Sequence, residues 1–327
     1  MRDVAAGVDI GGTNTAVGLV TGEGRCLLSR TMRTDRHEKV DDFVRDLAGE
    51  IQQIVREAPE SIRLVGIGIG APNGNYYQGT IEHAPNLIWK GIIPFAQMVR
   101  RHFDVPVALT NDANAAAIGE GLFGAARRFQ HYIVITLGTG VGSGIVVNGE
   151  VLYGHDGFAG EIGHTIVDPE GRECGCGRRG CLETYASAGG IKRTVFELLA
   201  ESREASILRG MSYEAMTAQQ IAEAAKQGDA IALKAFDLTG EILGMKLADA
   251  VAHTSPEAII LFGGLAQAGE LIFAPTRRHM EANMLNIFKH KVKLLPSGLA
   301  HENVAILGAA ALIWKDLQKN ISTGVPA

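Results

Sequence analysis

"VDIGGTNTAVGLV", residues 8–20, and "ITLGTGVGSGIVV", residues 135–147, lie over one another when the chain is shifted by 127 positions. Gly11 then falls on Gly138 and Asp9 on Thr136. Each stretch is an apolar run, a glycine-rich break and a second apolar run, the pattern of two strands joined by a tight turn. The surroundings repeat as well: "RLVGIGIGAP" (63–72) follows the first hairpin and "EAIILFGG" (257–264) the second, each a buried-strand pattern ending in small residues. Such an internal repeat points to a duplicated α/β fold.

Between these landmarks the periodicity changes. Val40, Phe43, Val44, Leu47, Ile51, Ile54 and Val55 recur at helical spacing and predict an amphipathic helix. "VPVALTN" (105–111) reads as a strand, followed by a helix from about Ala113 to Gly124. Residues 183–255 read as helices, and a last helix is expected from about Asn303 to Leu317, packing back across the junction of two lobes.

Size and charge narrow the classes. A chain of 327 residues exceeds one typical core, so two lobes are expected. Hydrophobic residues at 46% and charged residues at 20% match ordinary globular proteins. The 31 basic and 36 acidic residues leave a net charge of −5 with no basic stripe, which argues against nucleic acid as a partner. No run of eighteen apolar residues and no signal-peptide pattern occurs, so a cytoplasmic protein without a membrane partner is expected.

Several nucleotide and hydrolase signatures fail. No Gly-Lys dipeptide exists for a P-loop. Gly66, Gly68 and Ala71 satisfy a loose dinucleotide pattern, but Pro72-Asn73-Gly74 follows where a helix should begin. Neither H-E-x-x-H nor G-x-S-x-G is present. The hairpin "DIGGTN" (9–14) offers another phosphate site: Gly11 and Gly12 allow tight backbone with exposed amides, Thr13 adds a hydroxyl, and Asp9 can hold hydrated Mg²⁺. An ordinary turn would look the same. Its echo at "TLGTG" (136–140) allows two such hairpins to face one triphosphate.

Three of the four cysteines crowd into "HTIVDPEGRECGCGRRGCLE", residues 164–183. Cys174, Cys176 and Cys181 supply three soft ligands, and His164, ten residues ahead of Cys174, can close a tetrahedral zinc shell. Redox chemistry would be better served by Cys-x-x-Cys, which is absent, and unrelated free thiols are the remaining reading. Cys26, far away in a strand pattern, is most simply a core residue.

"DIGGTN", "LTNDANAAAIGE" (109–120), "GTGVGSGIVVNGEVLYG" (138–154), "GFAGEIGHTIVD" (157–168), "CGCGRRGCLETYAS" (174–187) and "LFGGLA" (261–266) occur in the order found in ROK-family sugar kinases. Over nearly its full length the chain resembles that family, most of all its bacterial glucokinase branch. The resemblance implies an α/β, duplicated, two-lobed ATPase fold of the actin and hexokinase (ribonuclease H-like) type with a zinc-bound loop. Its smaller lobe would comprise residues 1–112 plus 303–327, its larger lobe residues 113–302 with the zinc loop 164–183, and its active-site cleft would lie between them. It implies structural Zn²⁺ on His164, Cys174, Cys176 and Cys181, and ATP carried with Mg²⁺.

Substrate binding carries over, by the same resemblance, onto Asn86, Asn111, Asp112, Glu161, His164 and Glu183. Nucleotide binding falls to Asp9, Gly11, Gly12, Thr13, Thr136, Gly138, Gly263 and Gly264, with an adenine pocket near Gly308. If one nitrogen of His164 binds zinc, the other can meet a sugar hydroxyl. Trp89 and Phe95 are read as core or rim packing, and Arg172, Arg178 and Arg179 either as phosphate contacts or as a solvated loop face. The activity implied is ATP-dependent phosphorylation of a hexose, D-glucose to glucose 6-phosphate, with Asp112 as general base. Against that role, Asp112 precedes a helix and could serve only as its N-cap.

Kinases for N-acetylmannosamine, N-acetylglucosamine, fructose or mannose are alternatives within the class. Some members are sugar-responsive repressors, but the eight residues before Asp9 are too few for a helix-turn-helix. An actin-like or chaperone ATPase would leave the cysteine and sugar segments unexplained. A homodimer is the oligomer the family suggests.

Overall fold

The glycine-broken stretch at residues 8–20 folds as the expected hairpin. Strands β1 (Arg2–Ile10) and β2 (Asn14–Thr21) pair antiparallel, with Ile10 opposite Thr15. The structure is a computed structural model that describes residues 1–299 and 304–323. Strand β3 (Cys26–Arg33) extends the hairpin, and helix α1 (Val40–Arg56) leads to β4 (Ile62–Gly70), parallel to β1. A small antiparallel sheet of β5 (Gly74–Asn75), β6 (Thr80–Glu82) and β7 (Ile92–Ile93) intervenes before helix α2 (Phe95–Arg100). Strand β8 (Val107–Thr110) then pairs parallel with β4, giving the order β3-β2-β1-β4-β8.

Both faces of this sheet are covered, which is why β1 is an almost unbroken buried run. Helix α1 lies against β2 and β3 and buries the predicted stripe, including Phe43, Leu47, Ile51 and Ile54. Trp89 and Phe95 join the same core, 6% and 0% exposed, with ring centroids 4.7 and 6.1 Å from Phe43. Helix α9 (Val304–Thr323) packs on β1, β4 and on helix α3 (Asp112–Leu122). Its backbone lies directly against the sheet: a Cβ at Gly68 would fall on the carbonyl oxygen of Ala309, and one at Gly7 on that of Ile306.

The second hairpin, β9 (Tyr132–Leu137) and β10 (Val141–Val147), opens a second sheet. With β11 (Glu150–Val151), β12 (Ala258–Phe262) and β13 (Lys293–Pro296) its order is β11-β10-β9-β12-β13, the topology of the first sheet repeated. Strand β12 stands where β4 stands and is parallel to both its neighbours, as the matching sequence patterns implied. Between the hairpin and β12 come helices α4 (Glu183–Ala186), α5 (Ala188–Glu201), α6 (Ala218–Lys226) and α7 (Ala230–Thr254). Helix α8 (Glu270–Asn283) packs along α7, where Gly240 and Gly244 admit Pro275, Thr276 and Met280.

The chain divides into two compact units: residues 1–129 and 144–160 with the described residues from 298 onward, and residues 130–143 with 161–297. Segments 113–129 and 144–160, expected in the larger lobe, therefore group with β1 to β8. The expected boundary at 302/303, the helix start at Asn303 and residues 324–327 lie outside the described residues. No helix among the described residues is long and apolar enough to cross a membrane.

Candidate active site

In the first unit the parallel strands end in line. Asp9 is in register with Gly70, and Gly70 with Thr110, so their carboxyl ends form one edge, where α/β sheets commonly bind ligands. The hairpin turn is closed by the Gly11 amide, which donates to the Asn14 carbonyl at 2.9 Å. Gly11 is thus not the exposed donor its sequence suggested. Gly12 has a different reason to be glycine: a Cβ there would fall on the carbonyl oxygen of Asn86, so the candidate sugar residue Asn86 is seated against the candidate phosphate turn. Thr13 is exposed, and its carbonyl accepts from the Thr34 amide at 2.9 Å.

One residue past β8 the capping question resolves. Asn111, at φ −72° and ψ 160°, is the N-cap of α3, and its Oδ1 accepts from the Asn114 amide at 2.7 Å. Asp112 is the first helical residue, and its Oδ1 accepts from the Ala113 amide at 2.8 Å. The cap role that competed for Asp112 belongs to its neighbour. Water reaches the Asp112 side chain, yet the protein packed around it raises its pKa above the usual carboxylate value, with the Ala113 amide partly offsetting this.

Asp9 is pushed up to about 6, first by burial and then by the negative charge of Asp112. Neither carboxylate forms an ion pair with a basic side chain among the described residues. Two desolvated carboxylates, the charge of one raising the other, fit a hydrated divalent cation such as Mg²⁺. This linkage can be measured. Folding favours the neutral form of Asp9, because its pKa in the folded protein exceeds the ordinary 3.8. Its contribution to stability is therefore lost as pH rises from about 4 through about 6. Asp9→Asn should stabilise the ligand-free protein at pH 7.5 by about 1–3 kcal/mol, and the gain should vanish below pH 4. Thermal unfolding at the two pH values is the check; an unchanged or lower Tm at pH 7.5 would count against it.

The second unit repeats the edge. Phe262 at the end of β12 is in register with Thr136. The Thr136 Oγ1 accepts from the Gly142 amide at 3.0 Å, and the Gly138 amide donates to the Gly140 carbonyl at 3.0 Å, so this hairpin also spends its polar groups on its own turn. Gly263 has φ 104°, and a Cβ there would lie 2.6 Å from the Leu137 carbonyl oxygen. By contrast, Cβ atoms at Gly138 and Gly264 would meet nothing within 4 Å. Packing does not demand glycine at those two positions; close approach of a ligand would.

His164, Cys174, Cys176 and Cys181 converge with all four donor atoms within 4.8 Å of one another. Cys174 Sγ lies 3.7 Å from His164 Nδ1, and Cys176 Sγ lies 3.6 Å from Cys181 Sγ. All four cysteines of the chain are free. A tetrahedral shell with Zn–S bonds near 2.3 Å has ligand atoms about 3.8 Å apart, so the donor set and its spacing fit zinc. Turns at Gly177 (φ 86°) and Gly180 (φ 70°) make the convergence possible. His164 offers Nδ1 to the cluster, leaving Nε2 as the other ring nitrogen.

The candidate sugar residues of this unit gather at the start of β10. Glu183, at the head of α4, accepts from the Val141 amide at 3.0 Å, and its other oxygen lies 3.8 Å from Cys174 Sγ. Glu161 precedes a single 3-10 turn (Ile162–His164) that is fixed twice. The Ile162 amide donates to Ser143 Oγ at 3.1 Å, and a Cβ at Gly163 would fall on the Val141 carbonyl oxygen. Ser143, buried in a strand, carried no signal in the sequence that would have marked this role.

The arginines are structural or exposed. Arg172 donates to the carbonyls of Thr184 (2.7 Å) and Gly190 (3.1 Å), to Thr194 Oγ1 (2.9 Å) and to Glu197, and lies 4.4 Å from the Tyr185 ring centroid. Arg178 donates to the His164 carbonyl at 2.8 Å, and Arg179 pairs with Glu173. Gly308 is buried where α9 crosses α3, with Gly119 and Ala115 against it.

The chain is similar to known proteins along most of its length. The ROK family profile matches residues 5–316. A glucokinase of Thermotoga maritima is 35% identical over 311 residues, covering 94% of this chain and 96% of that protein. The crystal structure of a ROK-family glucokinase from Streptomyces griseus, in complex with glucose and AMPPNP, superposes with a TM-score of 0.79 at 34% identity, covering 94% of this chain and 98% of that one. A ROK-family transcriptional regulator, homologous to the E. coli MLC protein, superposes with a TM-score of 0.87 at 26% identity, covering 99% of this chain and 81% of its own.

Proposed function

The chain belongs to the ROK family, and from that premise we propose that it is an ATP-dependent hexose kinase that converts D-glucose to glucose 6-phosphate. The observation that carries the reading is the pairing of Asn111 and Asp112: the first caps α3, which leaves the carboxylate of the second, with its raised pKa, free for substrate. Asp112 orients the sugar 6-hydroxyl and takes its proton, and a carboxylate whose pKa is raised is a stronger base for that role. As the sugar oxygen bonds to the γ-phosphorus, the bond to the bridging oxygen breaks and ADP leaves. Asn86, Asn111, Glu161, His164 Nε2 and Glu183 hold sugar hydroxyls. The turns at 11–13 and 136–138, with Gly263 and Gly264, receive the phosphates.

Mg²⁺, held through Asp9, would supply charge neutralisation on the phosphates. Zn²⁺ on His164, Cys174, Cys176 and Cys181 would be structural, because four protein ligands leave no open position. The glucokinases that the chain resembles support glucose as the sugar. ADP release should therefore be sugar-dependent and highest in kcat/KM for D-glucose; an N-acetylated hexosamine that clearly exceeds glucose would overturn the preference. A second reading, a sugar-responsive regulator, is favoured by the likeness to the transcriptional regulator. Sugar binding without any sugar-dependent ADP release would select it.

A further inference from the structure

Asn75 takes no part in the chemistry above, yet it is 3% exposed and all of its amide is used. Its Nδ2 donates to Glu82 Oε1 (3.1 Å) and to the carbonyl of Asp156 (2.9 Å), and its Oδ1 accepts from the amides of Tyr77 (3.0 Å) and Gln78 (3.2 Å). Thr80 Oγ1 donates to the same Glu82 oxygen at 2.7 Å, so the carboxylate fixes which end of the amide faces it.

The chain segment that Asn75 grips is unusual. Gly154, Gly157 and Gly160 have φ of 74°, 95° and 97°, a conformation that favours glycine. A Cβ at Gly157 would lie 2.7 Å from Asn75 Oδ1. The Tyr77 hydroxyl donates to the Gly154 carbonyl at 3.1 Å, and the Ala159 amide to the Tyr153 carbonyl at 3.0 Å. Residues 154–160 are therefore a tightly specified turn, clamped onto β5 and its following loop. The residue that leaves it is Glu161.

We propose that Asn75 is a positioning residue for sugar recognition: by holding the Asp156 carbonyl it fixes the turn that leads into Glu161. This rests on the reading of Glu161 as a sugar ligand. Removing the amide lets the 154–160 turn relax and costs sugar affinity, while Asp112 and the phosphate turns keep their places.

The test uses the full-length protein, calorimetric titration with D-glucose, and steady-state kinetics on Asn75→Ala, Glu161→Gln and the double variant. Asn75→Ala should raise the glucose Kd and KM about tenfold, with kcat and the KM for ATP changed by less than about threefold. In the Glu161→Gln background the same change should add almost nothing, since residues acting through one another are not additive. Should Asn75→Ala fail to fold, Tyr77→Phe removes only the clamp to Gly154 from an exposed side chain. It should raise the glucose KM about threefold. Additive effects in the double variant, a fall in kcat at unchanged glucose KM, or an unchanged KM in Tyr77→Phe would overturn the proposal alone. Unchanged glucose affinity in Glu161→Gln would overturn the sugar assignment of Glu161, and the proposal with it.

Discussion

Asp112→Asn is expected to lower kcat by roughly 10²- to 10⁴-fold, the usual range for loss of a general base, while the protein keeps its thermal midpoint within a few degrees. The structure sharpens this expectation. The capping hydrogen bond of α3 belongs to Asn111, so an amide at position 112 disturbs no cap. What it loses is a carboxylate whose pKa is raised by the protein around it. The bond from the Ala113 amide to Oδ1 is available to an asparagine oxygen as well. Glucose binding should persist in part, and calorimetry would show it. Removing the Asp112 charge also removes one cause of the raised Asp9 pKa. The acid limb of any residual activity should therefore move to lower pH. Near-normal turnover in a folded variant would withdraw Asp112 from the chemistry.

Removal of zinc is the second large effect. Elemental analysis of untagged protein should find one zinc per chain. A ligand bound only to the folded state adds stability by mass action, and structural zinc contributes about 10 kcal/mol or more in small zinc domains. Here part of the loop has its own anchors, so a smaller loss is expected, several kcal/mol or on the order of 10 °C in Tm. Sugar affinity should fall further than stability alone explains. His164 offers Nδ1 to the cluster and Glu183 touches Cys174, so two candidate sugar ligands lose their reference when the metal goes. Cys181→Ser should reproduce both losses. Fully active protein with no bound zinc would refute the assignment.

The fold was legible where spacing alone carries the information. Glycine breaks at 11–12 and 138–140 announced two hairpins, and the helical recurrence from Val40 to Val55 announced α1, because each pattern is local and has one structural solution. The cysteine spacing announced the cluster for the same reason. Less legible was anything decided by backbone angles or distant partners. Asn111 and Asp112 are equally good caps by type, and only the extended conformation of Asn111 chooses between them. The amides of Gly11 and Gly138 looked open until their turns closed on Asn14 and Gly140. Arg172 read as a phosphate contact or a solvated loop charge because its acceptors, from Thr184 to Glu197, belong to helices that follow it. Segment 144–160 continues the second hairpin in sequence but belongs with the first unit in space, through contacts such as that of Asn75 with Asp156, which no periodicity encodes.

The anchoring of Arg172 bears on how the loop would recover its metal. Two residues before Cys174, its guanidinium is tied to α4 and α5, and on the far side the Leu182 amide is bonded to the Thr165 carbonyl at 2.9 Å. Both ends of the ligand-bearing stretch are thus stapled by bonds that do not involve the metal. Chelation would free a tether of a few residues between fixed posts, and the thiols would stay within reach of one another. Reloading then becomes a local closure, orders of magnitude faster than folding anew, so a chain starved of zinc would be an idle reserve that returns to service when the ion does.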